Sequence, residues 1–347
     1  MFSASRYIAD SFPHLLGHLR DVKQVPVKSA DEIDEWHREP GIINGYRHNC
    51  SISQAVISLF NATNETVNFW THFIPTIFFV WQMGLLSSTM PLFQDPYLFP
   101  LVCYLFASCA YPLMSCMAHA FCCVSTTASH VCFFMDYAAL SIYSWGVAIL
   151  YYSYAFPKSL MYTWFSSIFL PVATFNAIVA TIMACSSRFL TGSPYIRKAL
   201  RLSAFIIPFL WDTVPLVWYL YTCDDAKDIC GESKFYHFRQ FASVILASFF
   251  YGSHLPERLA PGRFDIIGNS HNLLHLFGII ATNEQLRGSL LDVSSRRVEL
   301  QSLLWTTSPH WATIVTPLLI FCNFLLIVFF THALNKKTIK IAKLKKQ

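Results

Sequence analysis

"YLFPLVCYLFASCAYPLMSCMAHAF", Tyr97 to Phe121, runs for 25 residues without an Asp, Glu, Lys or Arg. A helix needs about 20 apolar residues to cross the roughly 30 Å hydrocarbon layer of a bilayer. This stretch has that length, and near its end it carries Ser115 and His119, four residues apart and so on one helical face. Seven further stretches read the same way: Val67–Ser88, Val131–Phe156, Leu160–Cys185, Leu202–Tyr221, Tyr236–His254, Ile266–Thr282 and Trp311–Leu334. The seventh span, Ile266–Thr282, is the shortest and most polar of them.

Composition agrees. The 347 residues are 54% hydrophobic and 13% charged, where a soluble domain carries about 25% charged residues. Such a chain is not a soluble globular domain. The expected fold is all-α, a polytopic membrane helix bundle in which residues 67–334 form one transmembrane domain. Residues 1–66 form a polar segment before it, and residues 335–347 a basic tail. The start of the chain lacks a compact apolar core followed by a small-residue cleavage site, so no secretory signal is expected. Neither a phosphate-binding glycine loop nor a nucleic-acid module is found, so no nucleic-acid partner is expected.

Positive charge sets the expected orientation. With eight spans both termini share a side, and that side holds 18 of the Lys and Arg against six on the other. The positive-inside rule then places both termini in the cytosol. The Lys-rich tail reads as a patch for anionic membrane lipid. In the opposite, external loop "CDDAKDIC", Cys223 and Cys230 close a short loop in an oxidising compartment, so a disulfide is expected.

Titratable groups inside spans are costly and usually functional. His119 falls near the inner end of the second span and Asp136 about one and a half turns into the third. "NSHNLLHLFG" (Asn269 to Gly278) adds His271 and His275, one helical turn apart, at the start of the seventh. Three imidazoles with a fourth position open to water is the ligand set of a catalytic zinc site. A nearby carboxylate could hold that water or accept its proton. The opposing reading gives each histidine a hydrogen bond to a neighbouring helix and no metal. Asp212, in "PFLWDTVP", is the other intramembrane acid; Pro208 and Pro215 bracket it, each removing a backbone hydrogen bond. It could anchor a ligand's oxygen, or satisfy the backbone groups that the prolines free.

Five pieces occur in one order: "NGYR" (Asn44 to Arg47), "NETVNFWTH" (Asn64 to His72), "SCMAH" (Ser115 to His119), "FFMDY" (Phe133 to Tyr137) and "GNSHNLLH" (Gly268 to His275). By these the chain resembles the progestin and adipoQ receptor family. "SHLPERLAPGRFD" (Ser253 to Asp265) resembles its membrane progestin receptor branch, of gamma or delta type. The resemblance implies a seven-helix core like that of the adiponectin receptors, with an eighth C-terminal span. It implies a zinc site of His119, His271 and His275, with Ser115 and Asp136 beside it. Asn272 departs from the family's usual Gln. The implied function is a plasma-membrane receptor for a progestin steroid or other lipid, signalling through an inhibitory heterotrimeric G protein. Related ceramidases use a similar site for amide hydrolysis, so a zinc-dependent lipid amidase, with Asp136 and Ser115 as catalytic residues, is the competing expectation.

The orientation is testable at the N-glycosylation sequons that start at Asn49, Asn61 and Asn64, all before the first span. A cytosolic N-terminus leaves them unmodified, because glycosylation occurs in the lumen. A glycosidase-sensitive mass shift that disappears in Asn64→Gln would reverse the orientation.

Overall fold

The protein is described here from a computed structural model, over residues 25–34, 37–190, 193–223, 231–303 and 309–344. A short helix α1 (Ile52–Ile57) precedes four long ones: α2 (Thr66–Thr89), α3 (Phe99–Phe121), α4 (Thr126–Tyr154) and α5 (Trp164–Ser187). Next come α6 (Pro194–Asp212) and α7 (Val214–Thr222), which meet at a 41° bend. The chain continues through α8 (Gly231–Ser253), α9 (Ser270–Ser295), short α10 (Arg297–Ser302) and α11 (Thr316–Leu344). Among the described residues five helices are long and apolar enough to cross a membrane, six if the bent pair is one span. The chain is an all-α, multi-pass membrane bundle.

Each of α2 to α6 packs on the next, α6 touches α8, α8 lies along α9, and α9 returns to α2. Seven helical segments thus close a ring, and α11 lies against α4 and α5. A core of large side chains, among them Trp145, Tyr104, Tyr151 and Phe169, fills the ring. Caps fix several helix starts. The Ser125 side chain accepts from Ala128 N at the head of α4, and Asn269 accepts from Asn272 N at the head of α9.

Three differences from the sequence reading bear on the site and the ring. The third span, α4, begins at Thr126 rather than Val131, so Asp136 lies nearly three turns in. Leu202–Tyr221 is two helices, broken after Asp212, where Pro215 at the head of α7 cannot donate back to the previous turn. The seventh span does not stop at Thr282: α9 continues to Ser295. Its polar residues face α8, where Glu284 pairs with Arg239 at 3.2 Å and Asp292 with His237 at 2.9 Å. Paired inside the ring, these groups avoid the cost of meeting lipid unpartnered. Cys223 is disulfide-bonded, and Cys230, its expected partner, lies outside the described residues.

The described residues of the polar N-terminal segment, from residue 25 on, are folded against one end of the ring. Lys28 and Tyr46 exchange backbone hydrogen bonds of 2.8 and 3.1 Å. Asp265, just before α9, accepts from Ile43 N and Asn44 N, both at 2.8 Å. Gly41 has φ +85°, and a Cβ there would stand 2.8 Å from the Glu257 carbonyl, so only glycine fits. Arg47 is buried, and donates to the carbonyls of His119 and Ala120 in the last turn of α3 and to Ser58 Oγ. A cation at a helix C-terminus is favourable there.

Asp265→Ala strands two backbone N–H groups, each of which has a charged acceptor worth about 1.5–3 kcal/mol. We expect a clear fall in the melting temperature of the purified protein, with Asp265→Asn, which keeps one acceptor oxygen, falling less. An unchanged melting curve for Asp265→Ala would mean that this anchor does not hold the segment.

Candidate functional site

The NGYR and NETVNFWTH segments, the end of α3 and the head of α9 meet at the covered end of the ring. His119 leaves the last turn of α3, and His271 and His275 leave the first turns of α9. One ring nitrogen from each of the three lies within 4.8 Å of the other two. Nε2 of His119 and Nε2 of His271 are 3.3 Å apart. The sequence reading placed these three together at one depth, and they are together. No other described residue joins the cluster, and the neighbouring Cys116, Cys122, Cys123 and Cys132 stay outside it.

Two side-chain orientations are fixed from behind. Glu65, the residue before α2, lies 2.7 Å from Nδ1 of His119. Its carboxyl is pushed up by burial but held lower, at about 2, by the His119 imidazole and by hydrogen bonds from His119 and Asn68. An ionised carboxylate only accepts, so Nδ1 of His119 donates. Likewise Nδ1 of His275 is 3.2 Å from the Asn68 carbonyl, which only accepts, and 3.1 Å from Thr71 Oγ1. With Nδ1 the donor, Nε2 is the nitrogen of each ring that can offer a lone pair to a ligand.

That arrangement tests the fit of a metal. A proton from His271 can bridge to one lone pair, but not to both. A cation among the three nitrogens satisfies all of them. Two nitrogens about 2.0–2.1 Å from one tetrahedral ion stand about 3.3–3.4 Å apart, which is the His119–His271 separation. Metal-ligating histidines commonly donate their other nitrogen to a carboxylate or a backbone carbonyl, as His119 and His275 do here. The donor set fits zinc.

Asp136, on α4, lies beside Ser115 and close to His119, outside the three-nitrogen cluster. Ser115 is buried one turn before His119. Asp212 belongs elsewhere: at the α6–α7 break, its Oδ2 accepts from Ser144 Oγ at 2.5 Å, and its buried Oδ1 has no partner.

Glu65, Asn68 and His72, all in the NETVNFWTH segment, recur at helical spacing on one face. Their contacts reach further. Asn68 Nδ2 donates to Glu65 at 2.8 Å, and Asn272 Nδ2 donates to Asn68 Oδ1 at 2.6 Å. A chain of hydrogen bonds therefore runs from His119 through Glu65 and Asn68 to the head of α9. His72 stacks on His275 with ring centroids 3.7 Å apart and planes 8° from parallel. The available signal was the helical spacing of Glu65, Asn68 and His72, which marks a face but does not name what the face touches.

Comparison with known proteins places this geometry. The sequence profile of a family described as haemolysin-III related matches residues 60–286. Membrane progestin receptor gamma-A of Danio rerio is 36% identical over 342 residues, covering 91% of this chain and 99% of that protein. Membrane progestin receptor gamma of Homo sapiens is 39% identical, covering 89% of this chain and 94% of the other. Membrane progestin receptor delta of Homo sapiens is 42% identical, over 76% and 77%.

Proposed function

This chain belongs to the haemolysin-III-related (progestin and adipoQ receptor) family, in the branch of the membrane progestin receptors gamma and delta, and from that membership we propose that it is a plasma-membrane receptor for a progestin steroid. The observation that carries the reading is the near full-length match to relatives named for that ligand. In this reading both termini are cytosolic, and the covered end of the ring passes the signal to a heterotrimeric G protein of the inhibitory type.

Asp212 is the proposed polar anchor. Ser144 holds one carboxyl oxygen, and the other is buried at a helix break without a partner. Protonated, that oxygen donates to a steroid ketone, which has no donor of its own. Unpaired buried polar groups cost about 1–3 kcal/mol, so a ligand that satisfies one gains affinity of that order.

We further propose that His119, His271 and His275 hold one zinc ion. Bound there, zinc would supply Lewis acidity and lower the pKa of a bound water toward about 7. Glu65 and Asn68 orient the His119 and His275 rings from behind, and Arg47 fixes the backbone of His119. The metal would tie α3 to α9, so a structural role in the receptor is sufficient reason for it. A second reading, a lipid amidase, draws on one observation: Asp136 and Ser115 lie next to the histidines without belonging to their cluster. There Asp136 would take a proton at its carboxylate, and the Ser115 hydroxyl would hold that carboxylate in place.

Protein purified without chelator should contain about one zinc per chain. His275→Ala should lower both zinc content and melting temperature, and Glu65→Gln should weaken metal affinity about 10–100-fold. No metal in the wild type, together with a His119→Ala variant of unchanged stability, would leave the histidines as interhelical hydrogen-bonders.

Labelled progesterone should bind saturably to the wild type and roughly tenfold or more weakly to Asp212→Leu, the loss of a hydrogen bond of the size given above. Full affinity in Asp212→Leu would remove Asp212 as the anchor. Release of fatty acid from ceramide without saturable steroid binding would favour the amidase, and Asp136→Asn should then abolish release while keeping the metal.

A further inference from the structure

Between the N-terminal segment and the ring lies a cavity of about 890 Å³, part of it open to solvent. His119 and His271 line it, and so do Arg188, Lys198, Arg201 and His254. The last four also line an outer lobe of about 450 Å³. None of these four has been given a part in the site described above.

The four offer donors and leave them unused. Lys198 is 7% exposed, with its ammonium 4.2 Å from the Tyr251 ring centre and 3.2 Å from Nδ1 of His254. An ammonium has no acceptor, so Nδ1 of His254 accepts and the ring proton sits on Nε2. His254 is 3% exposed, and its Nε2 has no hydrogen-bond partner. Among the described residues, Arg201 donates to the Tyr137 hydroxyl and the Arg197 carbonyl, and Arg188 donates to His130 and Ser129 Oγ and lies over the Phe133 ring. Among the described residues, no carboxylate lies within 4.0 Å of any of the three cations. Glu39, Glu65 and Glu257 do line the cavity, and Glu65 is engaged by His119 and Asn68. Both oxygens of Glu257 are taken by the backbone N–H and hydroxyl of Ser270, and Glu39 is exposed.

Cations gathered with no carboxylate in contact, one of them buried, are costly unless an anion joins them. Guanidinium groups match the geometry of oxyanions, and phosphate in particular. The lining carboxylates are engaged elsewhere or exposed and touch none of the three cations, so these donors and the free N–H suit an oxyanion with several acceptor oxygens. We propose that this cavity binds a phosphate group, held by Arg188, Lys198, Arg201 and Nε2 of His254. The proposal stands without the zinc or progestin readings. It makes the covered end of the ring a place where a phosphorylated ligand sits in the same chamber as His119 and His271. The phosphate is either free or the headgroup of a lipid.

The test uses the full-length protein in detergent with two probes, radiolabelled inorganic phosphate and dioleoyl phosphatidic acid in phosphatidylcholine vesicles. Wild type should retain at least one. Arg188→Gln with Arg201→Gln, and separately Lys198→Met, should each weaken retention about tenfold or more, as expected for losing a charged hydrogen bond. Binding of free phosphate that displaces phosphatidic acid identifies the free ion; binding of phosphatidic acid alone identifies the headgroup. Retention of neither probe by the wild type overturns the proposal, as does full retention by the double variant. Binding that chelation or His275→Ala abolishes, but Arg188→Gln leaves intact, places the anion on a metal and also overturns it. Phosphate binding that survives removal of zinc, or that occurs in protein found to hold none, supports this site whichever way the zinc reading falls. Where a variant does not accumulate, phenylglyoxal decides: the bound probe should protect Arg188 and Arg201 of the wild type from modification, and equal modification with and without it overturns the proposal.

Discussion

The hydrogen bond between the Glu65 carboxylate and Nδ1 of His119 is the constraint on which the covered end of the bundle depends. It joins the head of α2 to the tail of α3, and it decides which nitrogen of His119 carries the proton. Through Asn68 the same carboxylate reaches Asn272, so the head of α9 is set by the network that sets His119. Arg47 completes the hold on the backbone side by taking the His119 carbonyl. One residue is thus fixed at both its ring and its main chain by segments from before the first span. Inside a low-dielectric bundle a fully satisfied network of this kind is rigid, and a partly satisfied one is expensive.

The bundle's interior follows the same rule along its length. Tyr111 and Tyr143 share Thr282 Oγ1 at 2.9 and 3.1 Å. Tyr143 continues to Gln285, which donates to Tyr151, and Gln240 Nε2 donates to Tyr151 at 2.8 Å. His237 and Asp292 close the series. The polar residues that make α9 look like a poor membrane helix are the ones that bind it to α3, α4 and α8. Lipid contacts the apolar faces of the outer helices, and the polar groups are paired with one another inside.

This explains what the sequence could and could not disclose. Apolar runs of sufficient length name α2 to α5 and α11 directly, because length against bilayer thickness is a local property. The i, i+4 spacing of His271 and His275, and the depth they share with His119, made the histidine cluster legible too. Asp136 was read at the right end but about a turn too shallow, since the polar start of α4 at Thr126 does not look apolar. The far half of α9 was missed because hydropathy cannot tell a polar residue paired across helices from one in a loop. Docking of the N-terminal segment rests on backbone N–H groups given to Asp265, 221 and 222 residues away. No periodicity reports such a contact.

Two histidine–carboxylate pairs joined by hydrogen bonds, His119–Glu65 and His237–Asp292, stand at separate levels of the ring, and their contrast separates a site from a strut. His237 meets Asp292 through Nε2 at 2.9 Å, and its Nδ1 lies 3.3 Å from Gln240 Oε1. Both nitrogens are used. The ring also lies so close to Gly288 that a Cβ there would come within 2.9 Å of it, so nothing larger than hydrogen fits against that face. Glu65 and His119 have the same chemistry, but Glu65 takes only Nδ1 of the imidazole. Nε2 is left against the nitrogens of His271 and His275, at the wall of a cavity rather than against a packed backbone. A carboxylate that holds one nitrogen and leaves the other open prepares a histidine to bind something, whereas a pair with both nitrogens spent and its face covered can only hold helices together.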